Sequence, residues 1–181
     1  MHCLILNGNP KPSGFDDYLA RFTQALRLQG HAAERIDLRD LNLRYCVGCW
    51  SCWWKTPGLC AHRDDMADIY PKMVRADLVL WASPLVVGTV SALLKKVQDR
   101  FIPIAHPYVE LVDGECHHRH RYPYNADVGV IVEPTAEDSD ADLALTLELF
   151  ERFSRNTRTR FRLFATTATP VEEAARDALA A

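Results

Sequence analysis

Short apolar runs alternate with amphipathic helical patterns along this chain, and that alternation restricts the fold more than any other feature. Cys3–Leu6, Leu78–Ala82, Val128–Val132 and Phe161–Ala165 read as buried strands, and His31–Leu38 as a weakly alternating strand at a sheet edge. Between them, apolar residues recur at three- and four-residue spacing: Phe15, Tyr18, Leu19, Phe22 and Leu26, then Val90, Leu93, Leu94, Val97 and Phe101. Asp138–Asn156 and Val171–Ala180 are two further helical segments. Gly30 falls just past the first helix, where a left-handed cap belongs. Asp64 or Asp65 can cap a helix reaching Arg75, with Pro71 inside it. A proline there removes a backbone donor at a cost of roughly 3 kcal/mol, which predicts a kink or a break. Ile102–Asn125 is loop-rich, with a hairpin expected over Val109–His117 around Asp113-Gly114.

Five strands alternating with helices imply a parallel sheet covered on both faces. Right-handed crossovers leave few topologies. At 181 residues the expected architecture is one α/β domain, a flavodoxin-like three-layer sandwich. Its five-stranded parallel sheet takes the order 2-1-3-4-5, and ligands bind outside the carboxyl ends of strands one and three. Two segments therefore matter most: Gly8–Phe15 after strand one and Ser83–Gly88 after strand three.

The formal net charge of −3 argues against a nucleic-acid partner. No apolar stretch is long enough to span a bilayer, and the N-terminal run lacks the basic flank of a signal peptide. A cytoplasmic location is expected, where thiols stay reduced. The six cysteines then call for a reading other than a disulfide framework.

The first segment, Asn7-Gly8-Asn9-Pro10-Lys11-Pro12-Ser13-Gly14-Phe15, joins a strand to a helix. Helix N-termini present free N–H groups and positive dipole charge, so they suit phosphate. Ser13 can add a hydroxyl and Lys11 a cation. Asp16 and Asp17 in the first turn work against an anion, and one of them can act as a cap. An ordinary strand-to-helix turn accounts for the same residues.

The second segment runs Ala76-Asp77-Leu78-Val79-Leu80-Trp81-Ala82-Ser83-Pro84-Leu85-Val86-Val87-Gly88, then Val90-Ser91-Ala92-Leu93-Leu94 through Asp99-Arg100. It resembles the corresponding stretch of the NADPH-dependent FMN reductase family, with a strand ending in Ser-Pro and a helix running from Ser-Ala to Asp-Arg. The first segment resembles that family's phosphate loop. Cys46-Val47-Gly48-Cys49-Trp50-Ser51-Cys52, followed by Cys60, resembles its cysteine-bearing branch, which includes iron–sulfur flavoproteins. The likeness covers roughly the first hundred residues, judged on motif order.

The resemblance implies an FMN-dependent NAD(P)H oxidoreductase that passes hydride to flavin and on to a flavin, quinone or protein acceptor. Asn9, Lys11, Ser13, Gly14, Phe15 and Asp16 are the expected phosphate-side residues, with the phosphate against the N–H groups of Ser13–Asp16. Pro84, Leu85, Val86, Val87 and Gly88 are the expected ring-side residues. No side chain is expected to act as acid or base, because the hydride chemistry belongs to the cofactor. The family loop usually carries a Ser where Asn9 stands, a small hydroxyl residue near Asp16, and an aromatic near Val86 or Val87. These departures imply weaker FMN binding and a more open flavin face.

Cys46, Cys49, Cys52 and Cys60 are separated by two, two and seven residues. Thiolates so spaced can ligate a [4Fe–4S] cluster, or zinc with His62. The larger expectation is a loop of free thiols near the flavin rim, because the long gap puts Cys60 on a tether. Trp50, Trp53 and Trp54 then suit a subunit contact in a homodimer or homotetramer. Cys3 reads as a small buried apolar residue. Cys116 and the neighbouring His117, His118 and His120 read as a solvated loop, with metal or phosphate binding as the lesser alternative. Two rivals to the reductase stand: an iron–sulfur electron carrier, and a non-catalytic module that keeps the fold.

Overall fold

The computed structural model describes residues 1–123 and 125–180. Its central sheet has the strand order β2-β1-β3-β7-β8, with all four neighbouring pairs parallel. These strands are β1 (His2–Asn7), β2 (Ala32–Asp37), β3 (Leu78–Val86), β7 (Asp127–Glu133) and β8 (Phe161–Thr166). In sequence order this is the 2-1-3-4-5 arrangement expected above.

Strand alternation sends residues to two cores. Leu4, Leu6, Val79 and Trp81 lie in one, while Cys3, Ile5, Leu78 and Leu80 lie in the other, all buried. The helices α1 (Gly14–Leu28) and α6 (Val171–Leu179) close the second core with Phe15, Leu19, Phe22, Val171 and Ala174. The first core takes Met66, Ile69 and Met73 from α3 (Met66–Arg75), Leu94 and Val97 from α4 (Ala92–Asp99), and Phe150 from α5 (Asp140–Thr157). A short helix, α2 (Ser51–Trp54), lies within the cysteine segment.

Four details depart from the sequence reading. First, of the kink or break expected at Pro71 the break does not occur, because α3 continues through it. Pro71 and Ala67 are both exposed, so the bond that proline forfeits falls on the solvent face of the helix. Second, β3 does not stop at Ser83-Pro84 but continues to Val86 and turns back into β4 (Thr89–Val90). Asn7, the last residue of β1, lies opposite Ala82, so on that flank β1 no longer pairs with β3 at Pro84. A residue without an N–H is tolerated on such a flank.

Third, Val90 belongs to this hairpin, and α4 begins only at Ala92 behind the Ser91 cap. Fourth, the histidine segment is a strand: β5 (Ala105–Val112) pairs with β6 (Glu115–His120) across an Asp113-Gly114 turn, both residues at positive φ. On β6, His117 is buried beside Asn156, and His120 Nε2 is 3.0 Å from the Thr157 carbonyl. Those contacts dock the hairpin on the end of α5.

Candidate functional site

The carboxyl ends of β1 and β3 lie side by side, and buried hydrogen bonds join the loops that leave them. Ser83 Oγ accepts from Ser91 N at 2.9 Å, and Ser91 Oγ donates to the Gly8 carbonyl at 2.6 Å. Ser91 Oγ also caps α4 by accepting from Leu94 N at 3.2 Å. Gly8 N donates to the Ala82 carbonyl at 2.7 Å. A Cβ on Gly8 would lie 2.6 Å from Leu94 Cβ, so only glycine permits this approach. The sequence reading quoted Gly8 and Ser91 within its motifs but gave neither a site role. The available signal was a helix-capping serine directly before an apolar helical run. Ser91→Ala removes the cap and leaves buried polar groups unpaired, so it should cost about 1–3 kcal/mol in a urea melt. A loss of under about 0.5 kcal/mol, the noise of a neutral surface change, would show that the two loops are not tied through Ser91.

The β3–β4 hairpin carries Pro84, Leu85, Val86, Val87 and Gly88. Its turn residues Val87 and Gly88 have φ of 54° and 72°. Two positive φ values mark the type I′ turn that matches strand twist. Glycine occupies that region at no steric cost, but a β-branched residue there is strained. Val87 is 98% exposed at the tip and Val86 45%. The sheet edge thus presents apolar surface of the kind that packs on a flat ring.

The β1 loop is internally bonded. Asn9 Nδ2 donates to Ser13 Oγ at 3.0 Å and to Asp16 Oδ2 at 2.8 Å. Ser13 caps α1, accepting from Phe15 N at 3.2 Å, and Asp16 reciprocates by accepting from Ser13 N at 3.0 Å. Lys11 N donates to Asn9 Oδ1 at 3.3 Å. Gly14 has open space where a Cβ would be. Burial pushes the Asp16 carboxyl up, but hydrogen bonds from Arg39, Ser13 and Asn7 outweigh it and hold it below the ordinary carboxylate value. Glu133, at the end of β7 beside Pro84, was not singled out from the sequence. Its carboxyl is pushed up by burial and by the charge of Asp16.

Cys46, Cys49, Cys52 and Cys60 line one pocket, together with His62, Tyr70, Arg100 and Ile102. The pocket has a buried charged floor. Arg100 and Asp64 form a two-pronged ion pair at 2.6 and 2.8 Å, with side chains 1% and 0% exposed. Arg100 also donates to the Arg44 carbonyl at 3.1 Å, and Asp64 accepts from Arg44 N at 2.8 Å. Burial alone would lower the Arg100 guanidinium, but Asp64 and Cys60 beside it hold it above its ordinary value. Asp64, read from sequence as a helix cap, does accept from Met66 N at 3.3 Å, but its main partner is Arg100. Trp53 anchors the loop from within: its Nε1 donates to the Ile102 carbonyl at 3.0 Å, and its ring lies between Trp50 and His118.

Among the described residues, no three Cys, His, Asp or Glu side chains stand close enough to hold one metal ion. A cluster is larger than one ion and takes its thiolates farther apart. Arg100 Nε and His62 Nε2, both in this pocket, are buried with no hydrogen-bond partner among the described residues. Unpartnered nitrogens of this kind fit an anionic group held by the four cysteines. Burial, then the neighbouring Cys60, pushes the Cys52 thiol up, whereas hydrogen bonds from Ser51 lower that of exposed Cys49.

Residues 1–122 match the model of the NADPH-dependent FMN reductase family. An iron-sulfur flavoprotein of Methanocaldococcus jannaschii is 37% identical over 105 residues, 58% of this chain and 53% of that protein. One from Archaeoglobus fulgidus is 31% identical over 100 residues, 55% of this chain and 48% of that protein. The chain spans about half the length of these relatives. Among solved structures, an NAD(P)H:quinone oxidoreductase from Methanothermobacter marburgensis matches with a TM-score of 0.65 at 19% identity, over 98% of this chain and 92% of that one. An FMN-dependent NADH-azoreductase from Bacillus anthracis in complex with FMN gives 0.61 at 15% identity, over 98% and 94%. At such identities the likeness is one of fold. No described helix is long and apolar enough to cross a membrane.

Proposed function

Because the chain belongs to the NADPH-dependent FMN reductase family, we propose that it is a flavin-dependent oxidoreductase taking hydride from a reduced nicotinamide and delivering electrons to a flavin, quinone or protein acceptor. The observation that carries this reading is the Ser83–Ser91–Gly8 hydrogen-bond chain, which fixes two loops together at the switch point of the sheet. FMN supplies the redox chemistry through its ring. The residues of this chain bind and orient it. Val86, Val87 and Gly88, with Pro84 and Leu85 behind them, form the ring side. Asn9, Lys11, Ser13, Gly14, Phe15 and Asp16 form the phosphate side. No side chain is assigned as acid or base. The activity is placed in the cytoplasm. Exposed Trp50, Trp54, Tyr45 and Val47 suit a homodimer or homotetramer contact.

A second reading adds a cluster held by Cys46, Cys49, Cys52 and Cys60, so that electrons leave singly. The unpartnered Arg100 Nε and His62 Nε2 favour it, as do relatives bearing the name iron-sulfur flavoprotein. One anaerobic purification tests both readings. A yellow protein with flavin bands that consumes NAD(P)H supports the reductase. About four irons and four sulfides per chain, lost in Cys49→Ala, add the cluster. A colourless protein that ignores added FMN and NAD(P)H sinks both and leaves a binding module.

A further inference from the structure

The N-terminus of α1 already holds an anion, and that anion is part of the chain. Asp16 Oδ2 takes Ser13 N at 3.0 Å and Asn9 Nδ2 at 2.8 Å, while Oδ1 takes Asn7 Nδ2 and Arg39 Nη1, each at 2.8 Å. Arg35 Nη1 donates to the Asp16 carbonyl at 2.9 Å. The Asp16 side chain is only 14% exposed. Three more amides of the turn are also engaged, Phe15 N with Ser13 Oγ, Asp16 N with the Ser13 carbonyl, and Lys11 N with Asn9 Oδ1, which leaves Gly14 N as the turn amide with no bond among the described residues. Pro10 and Pro12 have no N–H to offer.

The surrounding charge does not favour a second anion. Arg35 and Arg39 are shared with Asp37, whose Oδ1 also accepts from Asn7 Nδ2 at 2.6 Å. Glu133 stands near enough for its carboxyl to feel Asp16. A phosphate arriving at this turn would meet a fixed carboxylate where it needs free amides. It has to displace a group held by four charge-assisted hydrogen bonds.

We propose that Asp16 is a built-in occupant of the flavin phosphate position and sets the flavin selectivity of this chain. The phosphate of FMN competes with the Asp16 carboxylate, so ring and ribityl contacts dominate binding. FMN and riboflavin are then held with similar strength, and the flavin exchanges readily. This inference rests on the flavin reading given above. Asp16 acts by occupancy, and no chemistry at the ring is assigned to it.

Titrating the full-length chain with FMN and with riboflavin, following flavin fluorescence, tests the idea. In the wild-type protein the two dissociation constants should agree within about tenfold. Asp16→Ser should tighten FMN by at least about tenfold and leave riboflavin unchanged, since it frees Ser13 N and Asn9 Nδ2 for a phosphate. Asp16→Asn removes the charge but keeps the shape, and should tighten FMN by a smaller factor. Ser13 still caps α1 in both variants, and thermal melts confirm their fold. A wild-type preference for FMN of about a hundredfold or more would overturn the proposal. So would an unchanged FMN affinity in both variants. If neither flavin binds the wild type or either variant, the flavin reading itself falls, and this inference with it.

Discussion

Arg100→Met should destabilise the protein by about 3–5 kcal/mol, the cost of stripping one partner from a buried ion pair. Asp64 would keep its backbone donors but remain as a fully buried carboxylate facing an apolar side chain. For a domain of this size each kcal/mol lowers the melting temperature by roughly 2–4 °C, so a fall of about 6–20 °C is expected. The double variant Asp64→Leu/Arg100→Met should recover most of that loss, because a well-packed apolar pair often equals a buried ion pair. A thermal melt decides it. A single variant within about 1 kcal/mol of wild type would show that water reaches the pair and screens it.

Gly88→Leu should abolish flavin retention on purification while leaving the chain folded. At φ of 72° a side chain is strained, by roughly 1–2 kcal/mol for an L-residue. A Cβ would also lie 2.4 Å from Asp142 Oδ1. Asp142 reciprocates the Ser139 cap of α5, so moving it loosens that helix end by about another 1 kcal/mol. Together these costs stay below the roughly 5–15 kcal/mol stability of a typical domain. The new side chain would also stand at the proposed ring face. Full flavin occupancy in Gly88→Leu would remove the hairpin from the site.

The central strands β1, β3 and β7 were legible because they are buried on both faces and read as apolar runs between turn signals, whereas the edge strand β2 showed only weak alternation. The Asp113-Gly114 turn and the left-handed Gly30, with φ of 84°, were legible for the same local reason. The β3 extension was not. Ser83-Pro84 is a stop signal, and only the sheet reveals that β1 ends before Pro84. Asp16 was half legible: Ser13-Gly14-Phe15-Asp16 has capping-box spacing, but its further bonds come from Asn7, Asn9 and Arg39. Arg100 was read as the last residue of the Ser-Ala to Asp-Arg helix. Its partner Asp64 lies 36 residues back, and no local pattern announces a long-range pair. For Pro71, the sequence did not disclose which face of α3 the proline would occupy.

The same ion pair orders events during synthesis. The four thiols leave the ribosome well before Arg100, which reaches back 36 residues to Asp64 and 56 to the Arg44 carbonyl. Arg100 supplies the buried cation beneath the cysteine pocket, and it lies C-terminal to all four cysteines. Of the four thiols only Cys52 is buried in the folded chain, while Cys46 and Cys49 stay exposed, so the pair beneath the pocket leaves the outer two thiols open to ligation or oxidation after folding.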